Sequence, residues 1–526
     1  MGTNQRDDLG RGGVRRVLFI AADQWHGPGL SALGHPCVRT PHLDALAADG
    51  VLFRNHYAQC SPCGPSRASL LTGLYLMNHR SVGNGTPLDE RHTNIALEVR
   101  KGGYDPILFG YTDTSADPRG LPADDPRLKS YEGVLTGMTV GVHMTEDVRP
   151  WRAYLRQKGY DVPPTALDVY RPAGTSKGPD GAARARPLYA AEDSDDAFIA
   201  GRVLHHLETH AGEPWFVHAV FPRPHPPIIA PEPYNTMYRR GQVPPPRRLA
   251  SAEEEARQHP YLAYLLQCQR RPGYYWGHDI NIQDLDAAAL ADLCAVYYGL
   301  ISEVDAQIGR IVAHLKRTGE YDHTLIVFTS DHGEMLGDHW LFGKSGYFDP
   351  AYHIPLIIRD PRREAAGARG RIVDAFTESI DIMPTILEWL DLDVPHACDG
   401  VSLRAFIEGR TPARWREAAH WEFDFRDVVA QSAERALGLT SDQCALSVMR
   451  GARYKYVHFT ALPPLFFDLR DDPNEFRDLA GEPDYRDLVL EYAQKMLSWR
   501  MAHAERVLSN TFLTPEGVVA RHGPRH

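Results

Sequence analysis

The sequence predicts an α/β protein: a large, mostly parallel mixed sheet sandwiched by helices, then a smaller C-terminal antiparallel sheet with a helix. Three observations predict it. Short apolar runs recur and each stops at a polar residue: 17–20 before Asp23, 106–109 before Tyr111, 215–221 before His225, and 324–328 before Asp331. Near-continuous runs of this length suit strands buried on both faces. Between residues 290 and 315, Leu293, Val296, Tyr297, Leu300, Ile301, Val304, Ile308, Ile311 and Val312 recur at three- and four-residue spacing, a helical stripe for packing on a sheet. After about residue 415 the texture changes to short runs at 445–449 and 453–459, which suit a small antiparallel sheet.

Taken in order, residues 1–14 are polar and Gly-rich and read as a flexible leader. A large α/β unit then spans 15–415 and a smaller α+β unit with a helical tail 416–526. Two long segments, 112–190 and 222–285, are rich in turn-forming residues and read as irregular insertions. The long helix closes at Gly319, just before the strand at 324. A last amphipathic helix carries Leu488, Tyr492, Met496 and Trp499. In sheets of this kind ligands collect beyond the carboxyl ends of the strands, so Asp23, Tyr111, His225 and Asp331 are expected at one edge.

Composition narrows the function. Among 526 residues, 57 Lys+Arg against 68 Asp+Glu give a formal charge of −11, which excludes a typical nucleic-acid binder. An anionic ligand would need local cations to hold it against that field. Seven cysteines in so long a chain do not make a disulfide scaffold. No apolar stretch reaches the ~18–20 residues of a membrane span, and 17–22 is too short for a signal-peptide core, so a cytoplasmic protein is expected. The 25 histidines hint at metal or acid–base chemistry.

Two clusters carry that chemistry. In the first, 60–73, Cys60 and Cys63 form a C-x-x-C that suits a redox pair or half a zinc site. Pro65 and the residues after it look like a helix start, which puts Cys63 at a helix N-terminus, where backbone N–H groups favour an anion. A buried structural cysteine fits the same residues. In the second cluster, Asp331-His332-Gly333-Glu334 offers a hard oxygen and an imidazole to a divalent metal, and Asp23-Gln24 offers more oxygens.

Cys63-x-Pro65-Ser66-Arg67 followed by Leu70-Leu71-Thr72-Gly73 resembles the sulfatase signature, in which C-x-P-x-R directs conversion of the cysteine to formylglycine. Asp23-Gln24, Asp331 to Glu334, Lys344 and the stretch from Phe467 through Asp472-Pro473-x-Glu475 to Leu479-Ala480 support the match, which spans about 15–480. Within the family the closest likeness is to bacterial phosphonate monoester hydrolases. It rests on Cys63-Gly-Pro, residues 74–80, Arg223-Pro224-His225-Pro226-Pro227 and residues 423–427. The resemblance implies an alkaline-phosphatase-like fold and a promiscuous hydrolase of phosphonate monoesters, phosphodiesters and sulfate monoesters. Its nucleophile would be the hydrated aldehyde at position 63, made by a formylglycine-generating enzyme. Asp23, Gln24, Asp331 and His332 would hold one divalent cation. The His332 nitrogen favours manganese over calcium, which prefers oxygen shells. Arg67 would orient the nucleophile, Lys344 and His225 would neutralise the transferring group or protonate the leaving oxygen, and Asn84, Tyr111 and Asp113 would face the small anionic ester. The C-terminal helix and the tail 511–526 would serve as an oligomerisation arm of a homodimer or tetramer.

The chain also departs from its relatives. Residues 110–113 (GYTD) lack the Lys and His typical of arylsulfatases, and Gln24 and His332 replace the Asp and Asn usual in calcium sulfatases. Asp113 stands where the phosphonate hydrolases carry Thr, and its carboxylate would repel an anion unless protonated or turned away. A chiefly arylsulfatase activity is the alternative on the same scaffold. A non-catalytic or redox protein using Cys60 and Cys63 is the alternative of another class.

Overall fold

The computed structural model describes residues 15–173, 184–268, 282–505 and 507–520. The leader of residues 1–14 lies outside them. The apolar runs become strands of one eight-stranded sheet: β1 (Arg16–Asp23), β2 (Val51–Tyr57), β3 (Pro106–Gly110), β4 (Thr139–His143), β5 (Phe216–Pro224), β6 (Thr324–Ser330), β7 (Leu356–Arg359) and β8 (Arg371–Glu378). Their order is β4-β3-β5-β1-β6-β7-β2-β8. All pairs are parallel except those of β7 with β6 and β2.

β1 is buried along its whole length because helices cover both faces. Its side chains alternate: Leu18, Ile20 and Ala22 pack into a layer with the Ala287–Thr318 helix, through Val296, Leu300, Val304 and Ile308. Val17 and Phe19 pack into the opposite layer with Leu70 and Leu71 of the Cys63–Thr72 helix and with Ile382, Met383 and Ile386. Each such aliphatic side chain contributes roughly 1.5–3 kcal/mol by leaving water. Because β5 and β6 run parallel to β1, Asp23 lies beside Pro224 and Ala22 beside Ser330. The carboxyl ends of the three central strands therefore share one edge, and the turns after them carry His225 and Asp331.

The long helix also sets a close approach. At Gly299 a Cβ would lie 2.2 Å from the backbone oxygen of Tyr234, so only glycine lets the 234–236 turn rest on this helix. Its Tyr297 hydroxyl, part of the apolar stripe in the sequence, donates to the Gln24 carbonyl at 2.6 Å and accepts from His26 N–H at 2.8 Å. The helix is long and apolar enough, by length and composition, to cross a membrane, which corrects the reading that no stretch qualifies. Its apolar window is 83% buried inside the protein, as befits a core helix.

The two segments expected to be irregular carry regular elements. β4, the edge strand of the sheet, and the Arg149–Gln157 helix lie in the first; Ala252–Ala256 and Pro260–Gln267 form helices in the second. β4 escapes an apolar-run criterion because an edge strand keeps exposed positions such as Val140.

Beyond β8 a four-stranded antiparallel sheet follows: β9 (Ala418–Asp424), β10 (Ala445–Gly451), β11 (Tyr454–Phe459) and β12 (Leu465–Asp468), in the order β12-β11-β10-β9. The Arg486–Ala502 helix seats Met496 and Trp499 against it, with Trp499 stacked on His420 at 4.3 Å and edge-on to Tyr75 at 4.9 Å. A hairpin of β13 (Thr511–Thr514) and β14 (Gly517–Ala520) comes last. Buried Lys455 of β11 joins the two sheets, bonding Asp349 at 2.9 Å and Glu475 at 2.6 Å, while Arg450 holds the same Asp349 at 2.9 Å.

Candidate active site

Cys63 opens the Cys63–Thr72 helix, whose residues are all buried. The next backbone N–H, that of Gly64, donates to Asn84 Oδ1 at 2.9 Å. A Cβ at position 64 would come within 3.1 Å of both Asn84 Oδ1 and the Asp113 carbonyl, a tight fit that a larger residue would meet only by shifting these neighbours. Cys63 Sγ lies 3.0 Å from Lys344 Nζ, 3.3 Å from His332 Nε2 and 4.0 Å from Asp23 Oδ2. Burial and the neighbouring Asp23 raise its thiol pKa against the pull of Lys344, so a thiolate nucleophile is disfavoured here. Cys60 is buried and its Sγ meets Ser69 Oγ at 3.4 Å; all seven cysteines are free, so the two thiols do not form a pair.

The acidic side of the site is held by one guanidinium. Arg67 donates from Nε and Nη2 to Asp331 Oδ2, both at 3.0 Å, from Nη2 to Asp23 Oδ2 at 2.8 Å, and from Nη1 to the Tyr111 carbonyl at 3.0 Å. Its charge sits 4.0 Å over the Tyr111 ring, and the Tyr111 hydroxyl donates to Asp23 Oδ2 at 2.7 Å. Asp331 Oδ1 accepts the N–H groups of Gln24 and His332 at 3.1 and 2.9 Å. Burial opposes ionisation of Asp331, but His332, Arg67 and Lys344 outweigh it and hold the carboxyl well below its ordinary range.

What remains unsatisfied marks a cation site. Asp23 Oδ1 is buried and has no hydrogen-bond partner among the described residues. His332 Nδ1 is 3.1 Å from the Gly333 carbonyl, which can only accept, so Nδ1 carries the proton and Nε2 a lone pair. That lone pair faces Asp23 Oδ1 at 3.6 Å and Asp331 Oδ2 at 3.4 Å. Burial lowers the His332 pKa to about 4, with Asp331 opposing, so the ring is neutral at neutral pH. A lone pair turned toward carboxylate oxygens is repulsive unless a cation lies among them. One ligand atom from each of Asp23, Cys63, Asp331 and His332 falls within 4.8 Å of the others, which fits one divalent ion.

Gln24, in a left-handed turn at φ 66°, is oriented from behind. Its Nε2 donates to Glu334, which also accepts from Leu336 N–H at 2.9 Å and Gly343 N–H at 2.7 Å. The amide oxygen therefore faces forward and accepts from Lys344 Nζ at 2.9 Å. Burial works against the Lys344 charge, but Cys63, Asp23 and Asp331 raise its pKa and keep it a cation. The Ser66 hydroxyl donates to the Asp331 carbonyl and the Ser61 hydroxyl to the Lys344 carbonyl, fixing both turns.

The remaining candidates form the rim. Asp113 is turned inward, not away: its Oδ2 is 3.6 Å from Arg67 Nη1 and the residue is only 8% exposed. Burial pushes its carboxyl up to about 6, with Arg67 opposing, so it is ionised at neutral pH. His225 is half-buried and feels the charges of Lys344 and Asp331; burial and Lys344 lower its pKa to about 3. Its Nδ1 is 2.8 Å from the Pro226 carbonyl, so Nε2 carries the free lone pair. Asn84 is exposed and contributes through Gly64. The turn carrying His225 is clamped by fully buried Arg223, which donates from Nη1 to the His225 and Pro227 carbonyls, both at 2.8 Å. Asp195 Oδ2 holds Arg223 at 2.9 Å and Tyr170 lies 4.4 Å beneath it. Asp338 and His339 stand apart: His339 bonds Glu255 at 2.9 Å and stacks on Phe348 at 3.6 Å.

Comparison with known proteins gives a consistent result. The sulfatase family profile matches residues 15–392, and one described as N-sulphoglucosamine sulphohydrolase, C-terminal, matches 337–502. The multifunctional alkaline phosphatase superfamily protein PehA of Trinickia caryophylli is 44% identical over 513 residues, covering 97% of this chain and 99% of that protein. An arylsulfatase of Clostridium perfringens is 27% identical over 493 residues, covering 91% and 93%. Among solved structures, the phosphonate monoester hydrolase of Agrobacterium radiobacter superposes with a TM-score of 0.94 at 47% identity, covering 97% of this chain and 100% of the other. That of Silicibacter pomeroyi gives 0.91 at 42% identity, with the same coverage.

The Arg223 clamp generates a test of its own. Asp195, Asp196 and Glu303 are all buried around this one guanidinium, and Asp196 Oδ2 and Glu303 Oε1 have no hydrogen-bond partner among the described residues. Burial and the charge of Asp195 push Glu303 up to about 8. A carboxyl raised in the folded state binds its proton where the unfolded chain has lost it, so stability falls as pH rises from the ordinary carboxylate range through about 8. Glu303→Gln is expected to flatten that decline in urea denaturation measured at pH 5, 7 and 9; an unchanged slope would place the titration elsewhere.

Proposed function

Because the chain belongs to the sulfatase family, we propose that it hydrolyses phosphonate monoesters, phosphodiesters and sulfate monoesters through a formylglycine derived from Cys63 and one divalent cation. The observation that carries this reading is Cys63 Sγ at a buried helix N-terminus, 3.0 Å from Lys344 and beside an orphaned carboxylate oxygen of Asp23. The relatives named phosphonate monoester hydrolase and arylsulfatase support the substrate class. A hydrated aldehyde beside a divalent cation supplies an acidified hydroxyl as nucleophile and a second hydroxyl whose loss of a proton expels the sulfate or phosphonate.

The residues of this chain set the geometry for that chemistry. Asp23, Asp331 and His332, with the Gln24 amide oxygen, would hold the cation; Arg67 fixes both aspartates so that the unpaired Asp23 Oδ1, Asp331 Oδ2 and the His332 lone pair converge. The imidazole donor supports manganese over calcium. Lys344 stays protonated and sets a positive charge against the transferring group. His225 presents its Nε2 lone pair while the site is empty. His225 would take up the proton that the attacking hydroxyl loses and pass it to the leaving oxygen, so the proton balances and the net charge of the site is unchanged. Asn84 holds the Gly64 N–H, and Tyr111 holds Asp23 at the substrate side.

We also propose a homo-oligomer, dimer or tetramer, assembled through the C-terminal arm. Phe512, Leu513 and Val518 of the β13–β14 hairpin are 72%, 75% and 68% exposed, an apolar surface that a second copy would cover. The free cysteines support a reducing compartment, and hence the cytoplasm, as its location.

Mass spectrometry, steady-state kinetics and ultracentrifugation test these proposals. Mass spectrometry of tryptic peptide 55–67, from cells with a formylglycine-generating enzyme, is expected to find the aldehyde at position 63, with manganese in the same preparation. An unmodified thiol overturns the hydrolase reading and calcium overturns the metal; kcat/KM for an aryl sulfate against an aryl phosphonate then ranks the two activities. His225→Ala is expected to lower kcat/KM for an alkyl phosphonate ester by ~10²–10⁴-fold and to affect the 4-nitrophenyl ester far less. Equal losses would remove His225 from the leaving group. Analytical ultracentrifugation is expected to find a dimer or tetramer that Phe512→Asp combined with Leu513→Asp dissociates; a monomeric parent protein overturns the arm's role.

A further inference from the structure

We propose that Asp113 restricts the site to esters that carry a single negative charge, and that it does so by taking up the outer face of Arg67. The inference rests on the hydrolase reading above and deepens it to the charge class of the substrate.

Among the described residues, Arg67 is the guanidinium that bonds both Asp23 and Asp331. Its Nε and Nη2 are spent on Asp331 and Asp23, and one Nη1 proton goes to the Tyr111 carbonyl. Asp113 Oδ2 lies 3.6 Å from the same Nη1, an ion pair without a hydrogen bond. Arg67 therefore faces three carboxylates, and none of its charge is left over for an incoming anion. Ionised groups at the site then sum to minus one, from Asp23, Asp331 and Asp113 against Arg67 and Lys344. His332 and His225 are neutral. A divalent cation on Asp23, Asp331 and His332 brings the sum to plus one. That matches a phosphonate monoester, a phosphodiester or a sulfate monoester, each a monoanion. It leaves the dianion of a phosphate monoester with one uncompensated charge in a buried site, where such imbalance is costly.

The Asp113 backbone holds the carboxylate in this position. Its φ is 47°, a left-handed conformation that Asp and Asn tolerate better than β-branched residues do. The turn is tied on both sides: Thr112 Oγ1 donates to the Gly133 carbonyl at 3.1 Å and accepts from Leu135 N–H at 2.8 Å, and Thr114 N–H donates to the Gly133 carbonyl at 2.9 Å. The carboxylate lies close enough to Cys63 to oppose loss of the thiol proton, so its charge reaches the reacting atom.

The test compares two substrates with one leaving group at pH 8, 4-nitrophenyl phenylphosphonate as the monoanion and 4-nitrophenyl phosphate as the dianion. Asp113→Asn removes the charge and suits the same backbone, whereas Asp113→Glu keeps the charge. The ratio of kcat/KM, dianion over monoanion, is expected to rise about tenfold or more in Asp113→Asn, mainly through KM for the dianion, and to stay near the parent value in Asp113→Glu. An unchanged ratio in Asp113→Asn overturns the proposal. Calorimetric binding of phenylphosphonate and of its methyl ester, which needs no turnover, separates this from failure of the hydrolase reading. If the protein turns over neither substrate, the hydrolase reading fails. Charge selection then still stands or falls on whether phenylphosphonate binds about tenfold or more tightly to Asp113→Asn than to the parent. Equal binding to both proteins, or to neither, overturns it.

Discussion

The site depends on one cation with three anions. Asp23 ends β1, Asp331 follows β6 and Asp113 follows β3, and left to themselves these carboxylates would push the strand ends apart. Arg67, rising from the first turns of the helix that begins at Cys63, gathers them. Breaking a buried pair of this kind costs about 3–5 kcal/mol because the partner charge stays in the protein. The same contacts fix the position of the nucleophile, since Cys63 and Arg67 are one helical turn apart. Catalytic placement and electrostatic balance are thus a single requirement on one side chain.

Orientation in the rest of the site passes through groups that a substrate need not touch. Glu334 turns the Gln24 amide so that its oxygen meets Lys344, and the Gly333 carbonyl selects the His332 tautomer whose lone pair faces the carboxylates. The Pro226 carbonyl does the same for His225, and Arg223 holds that turn from below. The Gln24 amide and the two imidazoles are thereby each held in one orientation, which is what preorganisation requires.

Much of this was legible in the sequence. Strand ends marked by Asp23, Tyr111, His225 and Asp331 do meet at one edge, because a parallel sheet sends the carboxyl ends of its strands the same way. The spacing of Cys63 and Arg67 on a helix was readable from Pro65 and the residues around it. The Asp195–Arg223 clamp was not, since two residues separated by 28 positions pair only through the packing of a helix on β5. Glu334 lies within the Asp331-His332-Gly333-Glu334 cluster, yet its role needs the fold of the 334–344 loop. β4 was lost because an edge strand does not need continuous apolar residues. Tyr297 was read as core packing, and only the structure adds the hydroxyl that holds the turn after β1.

The join between the two sheets has a consequence for how such proteins can be divided. Asp349 is bound by Lys455 and Arg450 five residues after Lys344, and Tyr352 stacks on Trp421 of β9 at 5.0 Å. On the other side, Glu422 of β9 donates its N–H to the Gln59 carbonyl at 2.8 Å, just before the turn into Cys63. The C-terminal sheet thus grips the two loops that deliver the nucleophile and its cation. A chimera that joined the first sheet of one relative to the second sheet of another would inherit mismatched grips on both loops. The boundary between the sheets is a line in the chain and not a seam in the machine, so the halves must change together as the family diversifies.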